Sequence, residues 1–290
     1  MSAIFKSGNT AVITGGASGI GLALAKRCAA AGMKVLVADR NAALLAAVPA
    51  VVGPAAVPFE MDVGSAADWE RLKAAVAADL GGRVTLLALN AGVGGVRALS
   101  LASPEAPDAF RRVLDTNLMG VVNGLAALLP IVRETAAGPD RPAAVVVTGS
   151  KQGITNPPGN PAYNASKAAV KALAEHLAYD LRDTPVGVHL LVPGWTWTGL
   201  GGGAAGVLRD GGAAGSAKPA AAWWPEQVVE FLEAKMAAGQ FWVLCPDNEV
   251  SEPLDRRRML WSAGDAVEGR KPLSRWRDEY KDEVAEWMKQ

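Results

Sequence analysis

From Thr10 to about Val192 the chain alternates short, nearly unbroken apolar runs with longer stretches whose apolar residues recur every three or four positions. The short runs are Ala11–Thr14, Lys34–Ala38, Ala56–Phe59, Val84–Leu89, Ala143–Thr148 and Val186–Val192. Their β-branched content predicts strands. The longer stretches, about Gly19–Ala31, Ala66–Asp79, Pro107–Arg133 and Ala162–Arg182, predict helices. Strands that read as continuous apolar runs are buried on both faces, so the expected fold class is α/β, a doubly wound parallel sheet covered by helices. Phe241–Cys245 predicts a last strand.

Two regions depart from this rhythm. Gly199–Gly215 is Gly/Ala-rich without periodicity and predicts a flexible substrate-side loop running on to Trp224. Residues 246–290 form a polar, Trp-containing extension with helices expected around Pro253–Ala263 and Ser274–Met288. The second is too short and polar to make its own core. The extension is therefore expected to belong to a single domain spanning 1–290, to dock through Trp261, Trp276 and Trp287, and to cover a substrate cleft, its own or a neighbour's.

Composition narrows the function classes. The 290 residues are half hydrophobic with a formal net charge of +0, which supports a substantial core and gives no basic face for a nucleic acid. Apolar runs are broken by Gly, Pro or charge, so no membrane span is expected. The first ten residues lead directly into an apolar strand, leaving no room for a signal peptide, and the expected location is cytoplasmic. Cys28 and Cys245 read as buried thiols in a reducing compartment, with a disulfide as the alternative. His176 and His189 have no Cys, His or carboxylate partners at ligand spacing and read as packing or surface residues, so no metal site is expected.

Candidate chemistry gathers around Tyr163 and Lys167. A spacing of four places phenol and ammonium one turn apart on the same side of a helix. A phenol titrating near pH ~10 is a poor base at neutrality, and a neighbouring cation favours its phenolate form. Lowering that pKa by about three needs roughly 4 kcal/mol of differential stabilisation. Ser150 and Asn117 stand upstream; alone, Ser150 could end a strand and Asn117 could cap a turn.

A second group reads as a dinucleotide site. Gly15, Ser18, Gly19, Ile20 and Gly21 lie in the turn from the first strand to the first helix. Glycines there permit close approach to a pyrophosphate while the helix N-terminus presents free N–H groups. The spacing G-x-x-x-G-x-G differs from the commoner G-x-G-x-x-G. Asp39 ends the second strand, where a carboxylate accepts hydrogen bonds from the adenosine ribose and repels a 2′-phosphate. NAD is therefore favoured over NADP, with Arg40 the dissenting residue because a guanidinium there could clamp a phosphate.

Together these residues resemble the short-chain dehydrogenase/reductase family in its single-domain, NAD(P)-dependent oxidoreductase form. The resemblance runs from about Thr10 to Thr198 and includes Thr14–Gly21, Asp62-Val63, Asn90-Ala91-Gly92, Asn117, Ser150, Tyr163/Lys167, Pro193-Gly194 and Thr198. It implies a Rossmann-type sheet of about seven strands. Asp62 and Val63 would meet the adenine, and Asn90, Ala91 and Gly92 would line the cofactor cleft. Pro193, Gly194, Thr196 and Thr198 would hold the nicotinamide. Ser150 would bind the substrate oxygen, Tyr163 would exchange its proton, and Lys167 would bind the nicotinamide ribose and lower the Tyr163 pKa. Asn117, breaking a helix locally, would hold a relay water. The family's usual homodimer or homotetramer is expected, with the extension putting the tetramer in doubt.

Gln152, Trp195 and Trp197 are candidate substrate contacts, and Lys151 either meets an acidic substituent or points to solvent. Trp223-Trp224 with the Gly-rich loop would form a lid, or would pack the loop. The expected activity is hydride transfer between NAD and a secondary alcohol or ketone with an apolar or aromatic substituent. The alternatives are a catalytically silent cofactor-sensing or scaffold protein of the same fold, or an epimerase or dehydratase that uses transient oxidation.

Overall fold

A computed structural model gives the fold and describes residues 3–138, 141–201 and 218–289. Seven parallel strands, β1 (Thr10–Thr14), β2 (Lys34–Asp39), β3 (Ala56–Glu60), β4 (Leu86–Leu89), β5 (Ala143–Thr148), β6 (Val186–Val192) and β7 (Trp242–Leu244), form one sheet in the order β3-β2-β1-β4-β5-β6-β7. Successive side chains on a strand point to opposite faces, and the core divides accordingly. Val12, Leu36, Leu87, Val145 and Leu190 enter one apolar layer, whereas Ile13, Val37, Ala88, Val146 and Leu191 enter the other. The first layer is closed by α3 (Ala66–Asp79), α5 (Gly120–Ala136) and α7 (Pro161–Asp180). The second is closed by α1 (Gly19–Ala30), α2 (Ala42–Val52) and α8 (Pro225–Ala237).

The strand order reverses between β1 and β4, which pair in register at Ala11–Leu86 and Ile13–Ala88. A crevice opens at such a switch point, outside the carboxyl ends of the strands. Thr14 and Asn90 close its floor. Thr14 Oγ1 accepts the Asn90 and Ala91 N–H groups at 3.0 and 3.1 Å, and Asn90 Nδ2 donates back to the Thr14 carbonyl at 3.1 Å. Thr148 Oγ1 donates to Asn90 Oδ1 at 3.2 Å, which adds β5 to the same tie.

Three elements carry no clear sequence signal. The α2 segment has almost no polar face and contains Pro49, yet Asn41 caps it by accepting the Leu44 N–H at 3.1 Å. The other two are α8 and the one-turn α6 (Gln152–Thr155). The single helix expected over Pro107–Arg133 is α4 (Ala106–Leu114) and α5 joined by a π-turn at Asp115–Met119. That run, Ala106–Ala136, is long and apolar enough to cross a membrane by length and composition alone. In this fold its Val121, Leu128 and Val132 are buried against the sheet, as in a core helix.

The extension begins with α9 (Glu252–Val267), capped by Ser251, and ends with α10 (Lys281–Trp287). The helix expected over Ser274–Met288 is instead two 3-10 turns followed by α10, because Leu273 is left-handed (φ 59°) and Arg277 is extended. Trp261 is buried at its centre, donates to Ser274 Oγ at 2.7 Å and meets Trp287 edge-on at 5.8 Å. Trp276 stays 37% exposed.

Candidate active site

At the carboxyl ends of the strands lies an open cleft of about 1020 Å³, at the upper end of small-molecule sites. One end is built around the β1–α1 turn. Gly15 has φ +63°, and a Cβ there would stand 2.9 Å from the Ala91 Cα. A Cβ on Gly21 would strike the Gly15 carbonyl. Only glycine fits either position, and the result is a turn whose backbone is bare toward the cleft. Ser18 makes no side-chain cap bond, so the N-terminal N–H groups of α1 keep their capacity for an anion.

Asp39, at the tip of β2, lines the same end with Arg40. Its Oδ2 accepts the Ala17 N–H at 3.1 Å and its Oδ1 accepts the Asn41 N–H at 3.0 Å. Each bond fixes the carboxylate and leaves each oxygen a lone pair. Asp62 and Val63 line the cleft beyond it, with Asp62 Oδ1 accepting the Gly64 N–H at 2.8 Å. These residues fit an adenosine and a pyrophosphate: a bare glycine turn, a free helix N-terminus and a fixed carboxylate in one line.

The other end is set by α7, which presents Tyr163 and Lys167 one turn apart, both buried. Ser150, just past β5, hydrogen-bonds the Tyr163 side chain. Lys167 Nζ donates to the Thr148 carbonyl at 2.8 Å and stands 5.8 Å from the centre of the Tyr163 ring. Burial depresses the Lys167 ammonium to about 8. Burial also pushes the Tyr163 phenol above its usual value, against the pull of its hydrogen bond to Ser150. The lowering expected from Lys167 is not what opposes this rise: the hydrogen bond with Ser150 is the downward pull, and the cost of ionising a phenol in dry surroundings outweighs it.

The model of the short chain dehydrogenase family matches residues 9–204, most of the chain. This chain belongs to the short-chain dehydrogenase family. An oxidoreductase, asL5, from Sarocladium schorii is 38% identical over 194 residues, covering 67% of this chain and 74% of that protein. The 2,5-dichloro-2,5-cyclohexadiene-1,4-diol dehydrogenase LinX of Sphingobium indicum is 32% identical over 191 residues, covering 65% and 73%. A crystal structure of a family member from Burkholderia phymatum in complex with NAD superposes with a TM-score of 0.77 at 29% identity, covering 92% of this chain and 97% of that one. The protein is accordingly a Rossmann-type oxidoreductase of CH–OH groups that uses a nicotinamide coenzyme.

In this short-chain dehydrogenase the cleft is lined by Gly15, Ser18, Gly19, Ile20, Asn90, Ala91 and Gly92 from the β1–β4 side. Pro193, Gly194, Trp195, Thr196 and Thr198 line it from the β6 side. Gly21 lies beneath the turn. Asn117 is fully buried in the π-turn and is not a lining residue. Its side chain accepts the Val93 N–H at 2.8 Å and donates to the Val93 carbonyl and Ser166 Oγ, both at 3.0 Å. It ties the loop after β4 to α7 at Ser166, the residue before Lys167.

Of the candidate substrate residues, Ser150, Gln152, Tyr163 and Trp195 line the cleft, and Gln152 Oε1 is buried without a hydrogen-bond partner. Trp197 departs from expectation. It is buried outside the lining, held by its N–H to the Trp223 carbonyl at 2.9 Å. Trp223 and Trp224 likewise stay out of the cleft, the first bridged to Thr196 and the second opening α8. The remainder of the expected lid, residues 202–215, lies outside the described residues.

Lys151 corrects both of its readings. It neither points to solvent nor waits for an acidic substrate, because it forms an ion pair with the buried Asp255. Sequence reasoning also missed Arg97 and Asn160, both lining residues, and Asn164, which donates to the Pro157 carbonyl at 2.6 Å and shapes the wall beside Tyr163. A polar residue between Tyr163 and Lys167 on one helix was the available signal.

The remaining sequence candidates are structural. His189 Nδ1 lies 2.7 Å from the Gln240 carbonyl, and His176 is exposed. Cys28 and Cys245 are free, and burial raises each thiol to about 12. Among the described residues no group of three His, Cys, Asp or Glu side chains is gathered for a metal.

Proposed function

We propose that this chain is an NAD-dependent dehydrogenase/reductase acting on a secondary alcohol or its ketone, with Tyr163 as the general acid/base. What carries the reading is one cleft lined by Asp39 at one end and by Ser150, Tyr163 and Lys167 at the other. Bound coenzyme supplies the hydride acceptor or donor. The chain's own residues bind, orient and move a proton. Ser150 and Tyr163 hold the substrate oxygen between them, and Tyr163 takes its proton in oxidation or returns it in reduction. The buried Lys167 keeps a positive charge beside the phenol through most of the neutral range, offsetting the cost of making a phenolate there.

The substrate end supports a ring-bearing alcohol with a second polar group. Trp195, 45% exposed at the mouth, offers a flat apolar face, and Gln152 adds a polar side chain to the lining. The diol named for the Sphingobium relative has such a second hydroxyl. A panel of cyclic and aromatic secondary alcohols and diols, followed at the NADH absorbance band with NAD and NADP in parallel, tests the proposal. Turnover with NAD on at least one cyclic member is the expected result. Clear NADH binding with no turnover across the panel would favour a cofactor-sensing role instead, and product change without net NADH would indicate an epimerase.

The coenzyme preference has its own test. Asp39→Asn removes the charge that repels a 2′-phosphate and keeps one of the two backbone contacts, since the amide nitrogen cannot accept the second N–H. The ratio of kcat/KM for NAD over NADP should fall by about tenfold, helped by Arg40 alongside, which corresponds to roughly 1.4 kcal/mol. An unchanged ratio would remove Asp39 from the role.

A further inference from the structure

The ammonium of Lys151 gathers three segments that are remote in sequence. The residue stands between Ser150 and Gln152 and lines the cleft. Its Nζ forms an ion pair with Asp255, on the first turn of α9, and lies 3.8 Å from Asp247 Oδ2. That same Asp247 oxygen accepts the N–H of Trp195 at 3.1 Å, while Oδ1 accepts the N–H groups of Glu249 and Val250 at 3.0 and 2.8 Å. Gly194 is pressed into the junction, where a Cβ would lie 3.0 Å from Lys151 Nζ and 2.9 Å from Asp247 Oδ2.

Asp255 is 1% exposed. Arg258 approaches it at 3.9 Å, and the half-buried Arg275 contributes a further positive charge. A carboxylate this buried is retained only where its cations hold it, and removing one member strands the others. Among the described residues, none from the C-terminal extension lines the cleft. The extension therefore does not cover its own cleft with these residues; it backs the wall.

We propose that Asp255 is a positioning residue of this active site: through Lys151 and Asp247 it holds Ser150 and the Gly194–Trp195 turn at a fixed separation. The extension is then part of the catalytic architecture while contributing no surface to it. The inference rests on the roles given above to Ser150 and Gly194. Ser150 lies just before the one-turn helix that Gln152 opens, and Lys151 stands between them as its N-cap residue. The turn after β6 is tied to Trp223 on one side through Trp195, Thr196 and Trp197, and the Lys151–Asp247 contact links it to the Ser150 segment on the other.

The test uses the full chain in three forms: Asp255→Asn, Lys151→Met, and the double variant Lys151→Met/Asp255→Leu, which removes both buried charges together. NADH affinity is read by fluorescence, with no alcohol present, and kcat is read on any substrate from the panel. Both are measured well below each variant's melting temperature. The expected result is a roughly tenfold weaker NADH Kd and a kcat lowered by about tenfold in all three, the double no worse than the worse single. Should Asp255→Asn fail to fold, the double variant still decides the question. A folded double variant with wild-type NADH affinity and kcat overturns the proposal. If the wild type oxidises no alcohol, the proposed reaction fails while the NADH arm still tests the clamp.

Discussion

Tyr163→Phe lowers turnover by about 10²–10⁴-fold and leaves NADH affinity within roughly twofold, the range expected when a general acid/base is deleted and the pocket keeps its shape. The change removes one hydroxyl from a buried ring and one hydrogen bond, that to Ser150. The ring itself, with Lys167 alongside, is retained. The pH dependence follows from the phenol being pushed up by burial. Near neutrality the wild-type phenol is protonated, so reduction, which needs a proton donor, runs well there and falls as the phenol ionises at higher pH. Oxidation, which needs the base form, rises over the same alkaline range. Initial rates in both directions across pH, with fluorescence titration of NADH into each protein, check all of this. A Phe variant turning over at the wild-type rate would show that the proton leaves by another route.

Lys167→Met abolishes activity yet raises stability. A fully buried ammonium depressed from 10.5 to about 8 is held at a cost, and each tenfold loss of proton affinity corresponds to about 1.4 kcal/mol at neutral pH. The fall from 10.5 to about 8 therefore sets an upper bound of about 3 kcal/mol for the gain, reduced by loss of the Thr148 contact at 2.8 Å. The sign with pH is specific. The folded-state value lies below the unfolded one, so between about 8 and 10.5 the unfolded chain binds the extra proton. Wild-type stability therefore climbs relative to the Met variant as pH rises through that window, and the variant's advantage is full below it. Denaturant melts of both proteins at pH 7 and pH 10 measure the difference. A Met variant less stable than wild type at pH 7 would mean that the Thr148 bond outweighs the burial cost.

The sheet was legible in the residues because its strands are buried on both faces. Nothing polar interrupts Ala143–Val147, only His189 interrupts Val186–Val192, and the predicted bounds Ala143–Thr148 and Val186–Val192 coincide with β5 and β6. Helices with a polar face, such as Ala66–Asp79, were equally readable. By contrast α2, with Ala, Leu and Val throughout and Pro49 inside, has no period to detect. The C-terminal helix was over-extended because a left-handed leucine and an extended arginine leave no mark in residue type.

For the site, the residues named the chemistry through local rules: glycine where a turn forbids a Cβ, an acid at a strand end, Tyr163 and Lys167 at a spacing set by helix geometry. Those statements need only a few neighbouring positions. What tertiary structure decided is whatever depends on distant segments meeting. It turned Trp197 inward against Trp223, used the Asn117 side chain to tie a loop to α7, and dried the pocket enough to raise Tyr163 rather than lower it. It also brought Asp255, from the C-terminal extension, to Lys151 beside Ser150. Desolvation and long-range pairing depend on the position of every surrounding atom, so no spacing in the sequence could have expressed them.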